Sequence, residues 1–270
     1  MKKLIKIVTL FIGLALDMTG IVQAEIRSQI VNYQIGEQAF QGYFSYDDAI
    51  KGKRPGVLVV HEWWGHNAYA RKRADMLAKM GYTAFALDMY GKGKLATHPD
   101  DAKKFMQATL ADMNVAESRF NAARQLLQQE ATVEANKIAA IGYCFGGGTV
   151  LHMARVGGDN LAGVVSFHGS LATNTLADKG SVKVKILVFN GADDPFVTTE
   201  QVTAFKQEMQ NSGADLEFVN YPDVKHSFTN PEADDFGKRF NMPLVYNAEA
   251  DKDSWARMQV FLRQVFENRD

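Results

Sequence analysis

Residues 138–141 form a short apolar run, residues 146–155 carry a helical pattern, and only Gly142-Tyr143-Cys144-Phe145 lies between them. A chain that leaves a buried strand and enters a helix in so few residues must turn sharply. The glycines at 142, 146, 147 and 148 remove the side chains that would clash in such a turn. A strand–turn–helix unit of this kind belongs in a parallel sheet covered by helices, and the rest of the chain agrees. Gly56-Val57-Leu58-Val59-Val60 is continuously apolar, as expected of a strand buried on both faces. Further strands are expected at 83–87, 163–167, 186–189 and 216–219, with an antiparallel pair at 31–35 and 40–46 around Gly36-Glu37. Helical spacing covers 69–80, 99–130 (with room for a break into two), 199–211 and 254–266. The alternation predicts one α/β domain over residues 25–270. It is a doubly wound, mostly parallel sheet with helices on both faces.

Composition excludes several function classes. Lys and Arg number 30 against 31 Asp and Glu, so the basic surplus that phosphate backbones select is missing, and no nucleic-acid partner is expected. A single cysteine leaves no intramolecular disulfide and no cysteine-rich zinc site. His61-Glu62-Trp63-Trp64-Gly65-His66 resembles a zinc motif, but its histidines have the wrong spacing and follow a strand instead of riding a helix. Neither a metal nor another cofactor is expected.

The N-terminus reads separately. Lys2, Lys3 and Lys6 precede an apolar run over 7–16, and Val22-Gln23-Ala24 supplies a small-residue cleavage pattern. This is the layout of a secretory signal peptide over residues 1–24, with a run too short to span a bilayer. The expectation is a periplasmic or secreted chain starting at Glu25, without stable membrane association and monomeric by default. Cys144 then works in an oxidising compartment.

Chemistry concentrates in three segments. Gly142-Tyr143-Cys144-Phe145-Gly146 fits a nucleophile elbow with cysteine in the reactive position, where the positive end of the following helix favours thiolate. Asn190-Gly191-Ala192-Asp193-Asp194-Pro195 is an acidic turn after a strand, and either aspartate could orient a base or cap the next helix. His226 follows the last strand. Nucleophile, acid and histidine in this order, each at the carboxyl end of a parallel strand, form the triad pattern of α/β-hydrolases.

With strand-end Glu62, Gly-Tyr-Cys-Phe-Gly-Gly, Gly-Ala-Asp-Asp-Pro-Phe-Val and Lys-His-Ser-Phe in this order, the chain resembles the dienelactone hydrolase family (carboxymethylenebutenolidases) over residues 31–266. The resemblance implies Cys144 as nucleophile, His226 as base and Asp194 as the acid, the Phe-Val pair fixing the register. It implies that Glu62 contacts the resting thiol until substrate frees it. The oxyanion hole falls to the backbone N–H groups of Phe145 and Trp63. The implied activity is hydrolysis of small-molecule esters or enol lactones through a thioester. A general carboxylesterase or thioesterase on the same fold, or a silent small-molecule-binding protein, are the alternatives.

The chain also departs from the family pattern. Where arginines hold a substrate carboxylate in dienelactone hydrolases, this chain has Lys92 and Asn230, which cannot form the bidentate fork. Tyr90, Lys92, Tyr143 and Ser227 are the expected substrate-side residues, with Trp63 and Trp64 adding aromatic walls.

Overall fold

A computed structural model describes residues 25–157 and 160–267, so the expected signal peptide lies outside the described residues. The strands are β1 (Ile26–Ile35), β2 (Gln38–Asp47), β3 (Arg54–Val60), β4 (Thr83–Leu87), β5 (Val133–Tyr143), β6 (Gly163–Phe167), β7 (Lys185–Gly191) and β8 (Leu216–Tyr221). The helices are α1 (Ala68–Ala78), α2 (Pro99–Leu110), α3 (Met113–Gln129), α4 (Phe145–Arg155), α5 (Thr199–Asn211), α6 (Ala233–Phe240) and α7 (Ala248–Glu267). The strands make one sheet in the order β1-β2-β4-β3-β5-β6-β7-β8. From β4 to β8 all neighbours are parallel, while β1 and β2 form an antiparallel hairpin whose inner strand pairs antiparallel with β4.

Side-chain alternation explains why the central strands are apolar throughout. Leu58 and Val60 of β3 join a core with Phe120, Ala123 and Leu127 of α3 and Phe205 of α5. Val57 and Val59 point the other way and pack with Ala74 and Leu77 of α1 and with Met258, Leu262 and Val265 of α7. With helices on both faces, each strand residue meets a hydrophobic layer whichever way it points.

Local chemistry sets the boundaries. The 99–130 region splits because Asp112 accepts from the Asn114 amide at 3.0 Å and caps a new helix, α3. Helix α5 begins with a capping box between Thr198 and Gln201, so neither Asp193 nor Asp194 is needed as its cap. The structure extends β1 and β5 upstream of the expected strands and starts α7 earlier. It also adds α6, a short helix whose Phe236 and Phe240 pack around the buried Trp64. No helix among the described residues is long and apolar enough to cross a membrane.

The backbone approach at the start of α4 is the tightest requirement of the fold. A Cβ at Gly146 would sit 2.3 Å from the Val60 carbonyl oxygen, and one at Gly142 would sit 2.1 Å from the Gly146 oxygen. In an unconstrained helix interior, glycine to alanine gains about 1 kcal/mol. Gly146→Ala should instead cost about 3 kcal/mol, because rigid backbone must move. A urea unfolding midpoint at or above that of the wild type would contradict this packing.

Candidate active site

The elbow at the end of β5 holds Cys144 at φ 53° and ψ −114°, a conformation that L-residues rarely adopt. Its N–H donates to the Phe167 carbonyl at 3.0 Å, and its own carbonyl accepts from Gly148 at 3.2 Å in the first turn of α4. The thiol therefore sits at a helix N-terminus, where amides and dipole favour negative charge. Close approaches surround it, since a Cβ at Gly147 would lie 2.7 Å from the Ser166 hydroxyl.

Asp194 and His226 come from the carboxyl ends of β7 and β8. The Asp194 side chain is fully buried, accepting from the Phe196 N–H through Oδ1 at 2.8 Å. Its Oδ2 lies 2.6 Å from His226 Nδ1. An ionised carboxylate only accepts, so Nδ1 carries the proton and Nε2 is left for Cys144. Asp193 is exposed, its N–H bonded to the Val224 carbonyl at 3.0 Å. Burial disfavours the charged imidazolium, but the charge of Cys144, the Asp194 hydrogen bond and a Cys144 hydrogen bond overcome it and push His226 up to about 10.

Glu62, at the carboxyl end of β3, is buried and held by the histidine loop. Asn230 Nδ2 donates to one carboxylate oxygen at 2.6 Å, and the Ser227 hydroxyl donates to the other at 3.3 Å. Burial raises its pKa to about 7 against the pull of Asn230, His226, Ser227 and Arg73. The neighbouring His61 ring bridges two strand ends, with Nδ1 2.5 Å from the Glu62 carbonyl and Nε2 accepting from the Met89 N–H at 3.1 Å.

A cavity of about 300 Å³ opens over Cys144 and His226. Trp63 and Phe145 wall it on the Cys144 side, Phe196 and Val197 beside the Asp194 loop, and Met242 and Leu244 on the segment after α6. Phe145 opens α4, where amides have no acceptor within the helix. The Tyr90 hydroxyl donates to the Trp63 carbonyl at 3.1 Å and fixes the orientation of that peptide.

The family model of dienelactone hydrolases matches residues 40–266. The chain belongs to the dienelactone hydrolase family. Protein usf of Aquifex pyrophilus is 28% identical over 240 residues, covering 87% of this chain and 98% of that one. A solved dienelactone hydrolase-like promiscuous phosphotriesterase from metagenomic libraries is 33% identical, with a TM-score of 0.83. That match covers 90% of this chain and all of the other. A second solved structure, m3DLH, is 35% identical with a TM-score of 0.83, covering 89% of this chain and 99% of that one.

This dienelactone hydrolase family member places the expected substrate-side residues elsewhere. Tyr143 precedes Cys144 on β5, and strand alternation turns its ring to the opposite face, stacked on Phe167 and beside Tyr69 and Arg73. Tyr90 is buried between His61 and Phe145, behind the cavity wall. Lys92 is exposed on a turn whose N–H bonds the Ala39 carbonyl at 2.8 Å, and it does not wall the cavity. Ser227 is committed to Glu62. Asn230, read as a missing arginine, is the principal hydrogen-bond donor to Glu62. The Glu62 carboxylate is therefore bonded to the histidine loop, while the sulfur acts on His226.

Several structural contributors were not singled out from the sequence. His168, at φ 40°, lies edge-on to His226 with ring centroids 5.2 Å apart, and its Nε2 is 2.7 Å from the Thr229 hydroxyl. Arg73 donates to the Thr229 carbonyl at 2.7 Å and to Asp251 at 2.6 Å, anchoring the histidine loop from α1. The anchoring role of such an arginine carries no local sequence signal, because Thr229 and Asp251 lie more than 150 residues away.

The raised pKa of Glu62 has a thermal signature. Below about pH 4.5 both folded and unfolded chains are protonated; between there and about 7 only the folded chain keeps the proton, so stability falls as pH rises through that window. Glu62→Gln escapes this loss, which is about 3 kcal/mol at full ionisation. Its melting temperature should gain about 5 °C on wild type between pH 5 and pH 8. An equal difference at both pH values would contradict the assignment.

Proposed function

We propose that this chain hydrolyses carboxylic esters or enol lactones, with Cys144 as nucleophile, His226 as general base and acid, and Asp194 as the group that orients the imidazole. The observation that carries the reading is the 2.6 Å bond between Asp194 and His226 Nδ1, which directs Nε2 toward the sulfur on its strained elbow. The sulfur attacks the carbonyl carbon, and its proton resides on His226. N–H groups of Phe145 and Trp63 stabilise the oxyanion. Collapse breaks the bond to the leaving oxygen, which takes the proton from His226 and leaves a thioester. Water, deprotonated by the same histidine, then releases the acid and restores the thiol.

The leaving group decides which substrates turn over. A thiolate is itself a good leaving group, so the tetrahedral intermediate returns to substrate unless the alcohol leaves at least as well. Enolates and phenolates meet that condition, and alkoxides do not. Apart from the Cys144–His226 pair, the cavity wall is apolar and carries no cation for a substrate carboxylate, which favours neutral substrates. The same surroundings suit a neutral phosphotriester, a second reading favoured by the solved relative described as a promiscuous phosphotriesterase. We also infer export and cleavage before Glu25, on the charge and apolar pattern of residues 1–24.

The deciding comparison is hydrolysis of an enol lactone, a p-nitrophenyl ester and a p-nitrophenyl phosphotriester by the mature chain and by Cys144→Ala. Wild type should turn over the enol lactone and the phenyl ester, and Cys144→Ala should lose about three orders of magnitude or more in kcat. Equal inertness of both proteins under reducing conditions would favour a binding role instead.

A further inference from the structure

Beside the catalytic cavity lies a second and larger one, of about 430 Å³. Met106, Phe145 and Ser170 wall both. Met106 reaches in from α2 and is only partly buried, and an unbranched thioether can change rotamer at small cost. The two spaces are thus neighbours that share three wall residues, one of them an adaptable side chain. Nothing in the mechanism above uses the second cavity.

Its position relative to the triad assigns it to one side of the substrate. Thr149, His152 and Arg155 stand on one face of α4 and line the second cavity as the helix runs away from Cys144. His226 and the Asp194 loop line only the catalytic cavity. The leaving group must touch His226 to receive its proton, so it occupies the histidine side. The acyl group then has the α4 direction open to it.

The chemistry of the walls narrows what would bind. Arg155 Nε and Nη2 grip Glu208 at 2.8 and 2.9 Å, and Nη2 also donates to the Leu171 carbonyl at 2.9 Å. His152 Nε2 lies 2.7 Å from Glu117. Each basic side chain that walls the cavity therefore already meets a carboxylate, and a ligand carboxylate would face Glu117 and Glu208 with no cation left for it. Hydrogen-bonding capacity does remain. The Thr149 hydroxyl donates to the Phe145 carbonyl at 3.0 Å, which leaves its oxygen able to accept. Met106, Leu110 and Met113 supply apolar wall along the way.

We propose that the second cavity is an acyl subsite, filled by the far end of a medium-length acyl chain that is apolar near the ester and ends in an uncharged hydroxyl. This deepens the ester-hydrolase reading and rests on it.

The test compares kcat/KM for four p-nitrophenyl esters: butyrate, octanoate, ω-hydroxyoctanoate and the monoester of octanedioic acid. The ω-hydroxy ester should be the best of the longer three, and the carboxylate-ended one at least tenfold worse. Ala172→Trp and, separately, Thr175→Trp put a large ring into the second cavity from exposed positions that do not wall the catalytic one. In each, the ratio of ω-hydroxyoctanoate to butyrate should fall at least tenfold, with circular dichroism confirming the fold. Ratios unmoved in both folded variants, or a carboxylate-ended ester as good as the hydroxyl-ended one, would overturn the subsite. Absence of butyrate turnover in wild type is a different failure, because it removes the ester-hydrolase reading underneath.

Discussion

The site depends on one backbone approach, in which the first turn of α4 lies against the end of β3 with no room for a side chain between them. Gly146 meets the Val60 carbonyl there, and Gly142 meets Gly146. This contact keeps the chain from relaxing the left-handed conformation at Cys144, because any rotation would drive helix into strand. It also brings α4 close enough to β3 for Trp63 and Phe145 to share a cavity with the sulfur. The strain at the elbow is thus held by the packing of α4 against the ends of β3 and β5.

A second layer of polar contacts ties the histidine loop to that frame. Glu62 at the end of β3 takes hydrogen bonds from Ser227 and Asn230, which flank the positive-φ turn just after His226. Arg73 from α1 holds the Thr229 carbonyl, and His168 from the end of β6 meets the Thr229 hydroxyl. Three strand ends and one helix thus converge on five consecutive loop residues. A buried carboxyl with a raised pKa is a weak source of stability, since its ionised form is disfavoured by the burial itself. Its value here is positional: it fixes the loop that carries His226.

The cysteine elbow, the sheet and both helix layers are readable in the sequence, because each rests on a local signal. Apolar runs, a 3.6-residue period and glycines crowded around one cysteine need no knowledge of distant partners. The choice of Asp194 over Asp193 came from the register of the following Phe196-Val197, and in the structure only Asp194 is buried against His226. Wall residues leave a weaker trace in the sequence. As one of the strand-end aromatics, Tyr143 is expected on the substrate side, although strand alternation sends its ring to the α1 and α7 side. Met242 and Leu244 reach the site from a segment after α6 that carries no strong periodicity, and Leu244 is positioned by a single bridge to His226. Such contacts are set by tertiary packing, where a short sequence window holds no trace of them.

Charge is arranged economically around the reacting atoms. Asp194 and the sulfur favour a protonated His226, while Glu62 is spoken for by two neutral donors. The remaining cavity wall is largely apolar, so field from the helix terminus and the triad acts in low dielectric. Everything in this account turns on the sulfur forming the covalent intermediate. The direct measurement is acid quenching of the protein milliseconds after mixing with a p-nitrophenyl ester, followed by peptide mass spectrometry. The account predicts one acyl group on the Cys144 peptide, released by hydroxylamine. A phenolate burst with the acyl group on Ser170 or Ser227, or with no acyl group on Cys144, would contradict it.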